Sequence, residues 1–265
     1  MNQLTLARAA RRCTGAAAAV AMFATVISLT VQAQAFPSKP VRVVVPFPAG
    51  GSFDVTARIL AQRMQAGLGQ NVVVENRPGG GTVIGTEYVV RQPPDGHTVL
   101  MIGTSHHLLI EALKLSAKID IVHTPFQGAA HAVPAMVGGH VTASLLNLSD
   151  MIVFIKAGKL RALVVLSPTR DEGVPEVPTV RESGFPELEA INWSGFVVHS
   201  ATPAGAIARL NAETVKALNM PEVRDNLRAL SVIATPGTPD EFAALIKSDG
   251  ERYRRIIREA NVRLE

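Results

Sequence analysis

The stretch that most constrains the fold runs from residue 41 to residue 58 and reads VRVVVPFPAGGSFDVTAR. Its opening run, Val41 to Val45, is mostly valine, which is typical of a strand buried on both faces of a parallel sheet. Pro46 ends this strand, and Gly50 and Gly51 allow positive φ and let a ligand approach the backbone. The stretch therefore predicts a strand, a glycine loop and the start of a helix.

The predicted helix begins after the loop, with Ser52 or Asp54 as its cap, and ends at Gly67 and Gly69. Its buried side is expected to carry Val55, Ile59, Leu60, Met64 and Leu68. The first turn of such a helix has backbone N–H groups without partners and lies at the positive end of the helix dipole. The loop therefore favours a carboxylate or phosphate ligand, although many glycine-rich turns of this shape are only tight turns.

This loop does not have the pattern of a nucleotide site. It lacks the G-x-G-x-x-G spacing of dinucleotide-binding folds, and no Lys-Ser or Lys-Thr pair follows its glycines. Without a lysine to bind phosphates, nucleotide hydrolysis is not expected.

Residues 1–35 have the pattern of a cleaved export signal. Arg8, Arg11 and Arg12 precede an apolar, alanine-rich stretch, and Ala33-Gln34-Ala35 fits a signal-peptidase site. We therefore expect cleavage after Ala35 and a periplasmic location.

Removal of this leader changes the charge of the chain. The net charge is +4, and three arginines without any acidic residue lie in residues 1–35, so the mature chain carries 4 − 3 = +1. Nucleic-acid binding therefore loses its main support. The single cysteine, Cys13, also leaves with the leader, so no disulfide holds the mature fold.

The rest of the chain continues the α/β pattern. Strands are predicted at residues 71–75 and 98–102, which gives βαβ units with right-handed crossovers. Further strands are expected at residues 119–122, 141–145, 160–166 and 191–198, and the C-terminal part is expected to be helical.

Many ordered segments of the chain resemble the Bug family, the periplasmic receptors of tripartite tricarboxylate transporters. The matching segments are VPFPAGGSFDVTAR (45–58), VVVENRPGGG with Ile84-Gly85 (72–85), PPDGHTVLM (93–101), IDIVHTPFQG (119–128), VGGHV (137–141), IKAGKLRAL (155–163), VPTVRESGFP (177–186) and ATP-x6-LN (201–211). They cover nearly the whole mature chain. Each segment alone is weak, but their number and order make the resemblance specific.

The resemblance implies an α/β fold, namely that of a two-lobed type II periplasmic binding protein in which each lobe contains a parallel sheet. Residues 36–105 and 194–265 would form the first lobe, and residues 106–193 the second. A small organic carboxylate would bind in the cleft through backbone amides, small hydroxyls and water rather than an arginine. The expected partners are this anion and membrane transporter subunits, with the receptor itself a monomer.

The sequence departs from the family pattern in the second lobe. One Gly103-Thr104-Ser105 loop stands where the family has two such loops, which implies an internal deletion of about 60 residues, roughly two βα units. The second lobe is therefore expected to be truncated. Leu146 also stands where the family pattern has an acidic residue, just before Asn147.

The candidate ligand-binding residues lie in the glycine loop and at the ends of later segments. They are Phe47, Ala49, Gly50, Gly51, Ser52, Thr104, Ser105, Gln127 and Asn147. Thr104 and Ser105 fit ligand binding and plain helix capping equally well, whereas Asp54 fits a bracing role because one carboxylate repels another.

No cofactor, metal site or catalytic group is expected. The histidines at positions 106, 107, 123, 131 and 140 lack the spacing of a metalloprotease helix, and no G-x-S-x-G motif is present. Three functions remain open: a carboxylate receptor for a transporter, an internally deleted receptor-like protein without transport function (a sensor accessory or a remnant), and, least favoured, a periplasmic hydrolase.

Overall fold

A four-stranded mixed sheet forms the centre of the fold. In the computed structural model, which describes residues 36–104, 106–122, 124, 126 and 128–259, the strand order is β2-β1-β3-β4. The strands are β1 (Val41–Val45), β2 (Val72–Asn76), β3 (Thr98–Gly103) and β4 (Ser194–Val197). The predicted strands at 71–75 and 98–102 are confirmed within one residue, and that at 191–198 is shorter than expected.

The sheet is parallel in three strands and antiparallel in the fourth. Val43 pairs with Val74 of β2 and with Val99 of β3, both in parallel register, whereas Met101 of β3 pairs with Phe196 of β4 in antiparallel register. The expectation of purely parallel sheets is therefore corrected at β4. The chain leaves the sheet at Thr104 and re-enters it beside the same point at Trp193, so β4 runs antiparallel to β3.

Helices alternate with the strands in the first part of the chain and dominate the rest. They are α1 (Ser52–Leu68), α2 (Val83–Val90), α3 (His106–Ala117), α4 (Ala129–Val137), α5 (Leu148–Lys156), α6 (Ala204–Leu218), α7 (Pro221–Ala229) and α8 (Pro239–Glu259), with 3-10 turns at Gly80–Thr82 and Pro186–Leu188. Helix α1 packs on β1, β2 and α6, and α2 packs on β1 and β3.

The core lies between the sheet and helix α1. The valines of β1 at positions 41, 43, 44 and 45 are fully buried, as expected for a central strand. Leu60, Met64 and Leu68 of α1 are buried as predicted, but Val55 and Ile59 are only half-buried. Phe53 and Ala57 are buried instead, so the buried face begins earlier in the helix than the sequence pattern indicated.

Three predicted strands are absent from the described structure. Residues 119–122, 141–145 and 160–166 contain no strand, and Val165 makes only an isolated parallel bridge to Thr179. Val122 is 93% exposed, and Leu163 is also exposed. These apolar segments have the composition of strands, but the described chain supplies no neighbouring strands for them.

Residues Lys39–Glu265 form one compact unit. The other unit is Met1–Ser38, of which only residues 36–38 are described. The predicted signal segment, residues 1–35, therefore lies outside the described residues. No helix within the described ranges is both long and apolar enough to cross a bilayer.

Candidate ligand-binding site

The glycine loop, residues 46–51, lies where the order of the strands reverses. It follows β1, whose neighbours β2 and β3 both pair with it in parallel. The carboxyl ends of these three strands therefore meet at one edge of the sheet. In open α/β sheets, ligands bind outside the carboxyl ends of the strands at this switch point.

Asp54 holds the glycine loop in place from inside the first turn of α1. Its carboxylate accepts hydrogen bonds from the Gly50 N–H (2.9 Å), from the Arg58 Nε (3.0 Å) and from the Asn76 Nδ2 (2.9 Å). Asp54 is only 3% exposed. Burial alone would raise its pKa, but the hydrogen bonds from Arg58, Gly50 and Asn76 outweigh burial and lower the pKa.

The bracing role expected for Asp54 is thus confirmed, whereas the expected side-chain cap is not. Gly51 occupies the capping position of α1, and no side chain caps the helix there. Asp54 bonds instead to Gly50, one residue before the cap, and so fixes the conformation of the loop. Gly50 has φ of +86°, a conformation that favours glycine.

The aromatic pair Phe47 and Phe53 forms the apolar side of the site. Their rings stack with centroids 4.4 Å apart and planes 11° from parallel. The Asn76 Nδ2 donates a hydrogen bond to the Phe47 carbonyl oxygen at 3.1 Å. Because Asn76 also bonds Asp54, one amide side chain at the end of β2 connects both ends of the loop.

Three helix N-termini meet at a cavity beside this pair. The cavity has a volume of about 70 Å³ and is lined by Phe47, Pro48, Gly51, Phe53, Gly128, Ala129, Ala130, Leu146, Asn147 and Asp150. Gly51 begins α1, Gly128 precedes α4 and Asn147 precedes α5. Three dipoles with their positive ends at one point favour a bound anion. The volume exceeds the roughly 10–15 Å³ that one water requires.

An aspartate of the protein lies at this meeting point. The Asp150 carboxylate accepts a bond from the backbone N–H of Ser52 at 2.8 Å and another from the Ser52 hydroxyl at 3.2 Å. The Asn147 Nδ2 donates to the same hydroxyl at 2.8 Å, and the Asn192 Nδ2 donates to the Asn147 Oδ1. These bonds form a directed chain from Asn192 to Asp150.

Asp150 is the one charged residue among the described residues that line the cavity. Burial raises its pKa, and the opposing hydrogen bonds from Ser52 and Asn147 do not overcome that effect. The site therefore contains a partly buried carboxyl group whose pKa is raised.

The predicted ligand-binding residues occupy different positions relative to this cavity. Phe47, Gly51 and Asn147 line it, and Ser52 contacts two of its lining residues. Ala49 and Gly50 are exposed in the loop. Ser105 and Gln127 lie outside the described residues.

Thr104 has a structural contact away from the described cavity lining. It is buried, and its hydroxyl accepts a bond from the Trp193 N–H at 3.1 Å, while its own N–H donates to the Trp193 carbonyl at 3.1 Å. These bonds join the two points where the chain leaves and re-enters the sheet.

Asp150 is not among the residues predicted from the sequence. Its sequence signal is the spacing of Asn147 and Asp150, a residue before a helix and an acidic residue in the first turn. Its contact with Ser52 joins residues 98 positions apart, and no local pattern indicates such a contact.

No group of three or more metal-binding side chains occurs among the described residues. His123 is not described, and for His106 and His107 only the backbone is. The expectation that the protein binds no metal remains a prediction.

Comparisons with known proteins agree with this fold. The family model described as "Tripartite tricarboxylate transporter family receptor" matches residues 56–103 and 100–262. The UPF0065 protein in the tcbD-tcbE intergenic region of Pseudomonas sp. strain P51 is 31% identical, covering 84% of this chain and 87% of the relative. Protein BugT of Bordetella pertussis is 28% identical, covering 90% of this chain and 94% of BugT.

A solved structure shows the same fold. MatC from Rhodopseudomonas palustris, with bound malate, is 25% identical with a TM-score of 0.80, covering 84% of this chain and 100% of MatC. The ordered family match, the relatives and the shared fold lead to one conclusion. The chain belongs to the receptor family of the tripartite tricarboxylate transporters and is a periplasmic solute-binding protein of the Bug type.

Proposed function

We propose that this protein binds a small organic carboxylate at the meeting point of α1, α4 and α5. The convergence of three helix N-termini on one cavity carries this proposal, because backbone N–H groups and helix dipoles favour an anion. The malate bound to MatC supports the same class of ligand. The candidate contacts are Phe47, Ala49, Gly50, Gly51, Ser52 and Asn147, together with Thr104, Ser105 and Gln127.

A thermal melt with and without ligands tests the proposal. The purified protein is melted alone and with a panel of mono-, di- and tricarboxylates. A ligand that binds only the folded state stabilises it by about 2.7 kcal/mol at a hundredfold excess over its dissociation constant. One carboxylate that raises the midpoint supports the receptor function, and a folded protein that no panel member stabilises contradicts it.

A pair of serine variants tests whether the ligand occupies this cavity. Ser52→Ala removes a hydroxyl at the start of α1 that bonds both Asp150 and Asn147. Ser248→Ala removes a hydroxyl from the exposed surface of α8 and serves as the control. We expect the first variant to change the dissociation constant of the bound carboxylate and the second to leave it unchanged.

We further propose that the protein is exported to the periplasm, with cleavage after Ala35, and delivers its ligand to membrane transporter subunits. The family supports this role, since its members are receptors of such transporters rather than enzymes. The test is uptake of the labelled carboxylate by the source cells before and after removal of the gene. Unchanged uptake would contradict a role in transport, and N-terminal sequencing of the exported protein checks the cleavage site.

The working motion in this proposal is closure of two lobes, residues 36–105 with 194–265 and residues 106–193. The chain crosses between them near Gly103 and near Trp193. The paired hydrogen bonds between Thr104 and Trp193 join these two crossings, so both can bend as one hinge. Closure is expected to appear as a smaller radius of gyration when ligand is added.

A second candidate function is a receptor-like protein that no longer takes part in transport, and the comparisons favour it in one respect. The alignment with the Pseudomonas relative has 291 positions but includes only 84% of the 265 residues, about 223, so about 68 positions lack a residue of this chain. The alignment with BugT has 308 positions and includes 90% of the 265 residues, about 239, so about 69 positions again lack a residue of this chain.

The family model also matches the chain in two ranges that overlap at residues 100–103, next to the single Gly103-Thr104-Ser105 loop. We propose that a segment of about 68 residues is missing from the chain at this point. A length of two βα units agrees with this number and would account for the strands that residues 106–193 lack. A broad melting transition that no carboxylate alters would favour this second function.

A further inference from the structure

The anion position of the proposed receptor site is filled by a side chain of the protein itself. Asp150 accepts the first free N–H of α1, from Ser52, and also the Ser52 hydroxyl. It lies in the first turn of its own helix, α5. The positive ends of two helix dipoles therefore act on this one carboxylate.

The donors that an incoming carboxylate would use are engaged by this contact. The Ser52 hydroxyl donates to Asp150 while it accepts from Asn147, so its one proton is already used. Asn147 is buried, and its oxygen accepts from Asn192. A second carboxylate in the 70 Å³ cavity would lie against Asp150 without free donors from Ser52.

No cation compensates Asp150 among the described residues. The two arginines of α1 bond elsewhere, Arg58 to Asp54 and Arg63 to Glu222. Two carboxylates confined to one cavity without a cation repel each other, and each disfavours the charged form of the other. A ligand carboxylate and the ionised Asp150 therefore compete for one position.

We infer that Asp150 is a tethered competitor of carboxylate ligands and determines which anions this receptor accepts. A carboxylate binds here by taking the place of Asp150 on Ser52. The competition weakens binding of every small carboxylate and most strongly that of ligands with several negative charges. This inference rests on the proposed carboxylate-binding function and adds to it the residue that sets its selectivity.

Two substitutions of Asp150 separate the effect of its charge from the effect of the space that its side chain fills. Asp150→Asn keeps the shape and removes the charge, and Asp150→Ala also vacates the position. Asp120→Asn is the matched control, because it removes the same charge from an exposed residue of the 106–193 segment. Acetate and malate are the probes, and binding is measured by calorimetry on the full chain after a melt shows that each variant is folded.

We expect Asp150→Ala to bind malate at least tenfold more tightly than the wild type, with Asp150→Asn between the two and Asp120→Asn unchanged. If Asp150→Ala does not fold, the comparison of Asp150→Asn with Asp120→Asn decides the question. Malate is expected to gain more than acetate because it carries two charges.

The remaining outcomes distinguish this inference from the proposed function. Wild-type binding that equals or exceeds that of both Asp150 variants overturns the inference and leaves the receptor function intact. Binding by Asp150→Ala alone supports the inference and contradicts carboxylate capture by the wild type. If no protein binds either probe, the inference is overturned, because a vacated anion position must accept an anion, and the receptor function loses its support for these probes.

Discussion

At the scale of single residues, two aspartates at the start of helices have opposite roles. Asp54 is buried beneath the glycine loop with three hydrogen-bonding partners on three elements, and these partners lower its pKa against the effect of burial. Asp150 lies at the cavity, and burial raises its pKa. One carboxylate therefore stabilises the fold in its charged form, and the other is more easily accommodated when protonated.

Substitution of Asp54 is expected to destabilise the loop and the fold. Asp54→Ala removes the acceptor of the Gly50 N–H and of Arg58 and leaves Asn76 with one fewer partner. Loss of these bonds is expected to lower the free energy of unfolding by about 2–3 kcal/mol, measured by urea denaturation. Asp240→Ala, an exposed first-turn aspartate of α8, is the control, with an expected loss of about 0.5 kcal/mol. Equal losses in both variants would show that Asp54 does not brace the loop.

The raised pKa of Asp150 predicts a pH dependence of stability with a definite sign. Because the folded protein binds this proton more tightly than the unfolded chain, protonation stabilises the fold at low pH. That contribution is lost as the pH rises above the ordinary value of 3.8 and through the raised folded pKa. Each tenfold difference in proton affinity between the two states corresponds to about 1.4 kcal/mol.

The measurement compares the wild type with Asp150→Asn at each pH. The free energy of unfolding of Asp150→Asn minus that of the wild type is expected to increase as the pH rises through this range. Contributions from Asp54 and Asp95, whose pKa values are lowered, occur in both proteins and cancel in the difference. A difference that stays constant with pH would mean that Asp150 titrates as an ordinary surface carboxylate.

At the scale of elements, the contact between α2 and the end of β1 leaves no room for a side chain at Gly85. A Cβ added there would lie 2.8 Å from the Pro46 Cβ and 2.9 Å from the Arg77 carbonyl oxygen. Gly85→Ala is therefore expected to lower the free energy of unfolding by about 1–2 kcal/mol, since overpacking exceeds the gain in helix propensity.

Gly205 in α6 is the matched control for this prediction. A Cβ added at Gly205 meets nothing within 4 Å, so Gly205→Ala is expected to raise the free energy of unfolding by about 0.5–1 kcal/mol. The two substitutions are chemically identical and are predicted to have opposite signs in thermal and urea melts. A stabilising effect of Gly85→Ala would show that α2 moves away from β1 at little cost.

Most elements that the sequence predicted correctly have their partners nearby in the chain, and β4, which pairs with β3 about 90 residues earlier, is the exception. Strands β1, β2 and β3 and the helices between them follow from valine runs, a proline and glycines, because each crossover places the next strand beside an earlier one. Residues 119–122 and 141–145 have the same strand-like composition, but a strand also needs a neighbour. Composition indicates that a segment can form a strand, but it does not indicate whether a neighbouring strand is available.

The candidate site was predictable to the same extent. The glycine loop could be selected because a helix N-terminus has a local pattern, and Asn147 could be selected from the resemblance to the family. The contact between Ser52 and Asp150 could not be selected, because it depends on how α5 packs against α1. The role of Thr104 in joining the two crossings to the sheet depends in the same way on Trp193, 89 residues later.

At the scale of the whole molecule, backbone hydrogen bonding is distributed unevenly. The sheet gives β1 hydrogen-bonded neighbours on both sides, whereas no helix or strand occurs in the described residues 141–147 or 157–164. Amides that lack such bonds exchange with solvent through local openings of low free energy. We therefore predict slow hydrogen exchange in β1 and β3 and exchange at least a hundredfold faster in residues 141–145 and 161–164 of the same sample.

A chimera tests whether the proposed missing segment is the cause of this difference. It carries, after Gly103, the stretch of about 68 residues of the Pseudomonas relative that we propose is missing from this chain. If those residues form strands, segments 141–145 and 160–166 gain neighbours, and their exchange is expected to slow towards that of β3 while exchange in β1 stays unchanged. Slow exchange in these segments before any insertion would mean that the 106–193 region is already paired in solution. Fast exchange that persists in the chimera would mean that these segments form no strands even when the inserted residues are present, and the proposed deletion would then not explain their exposure.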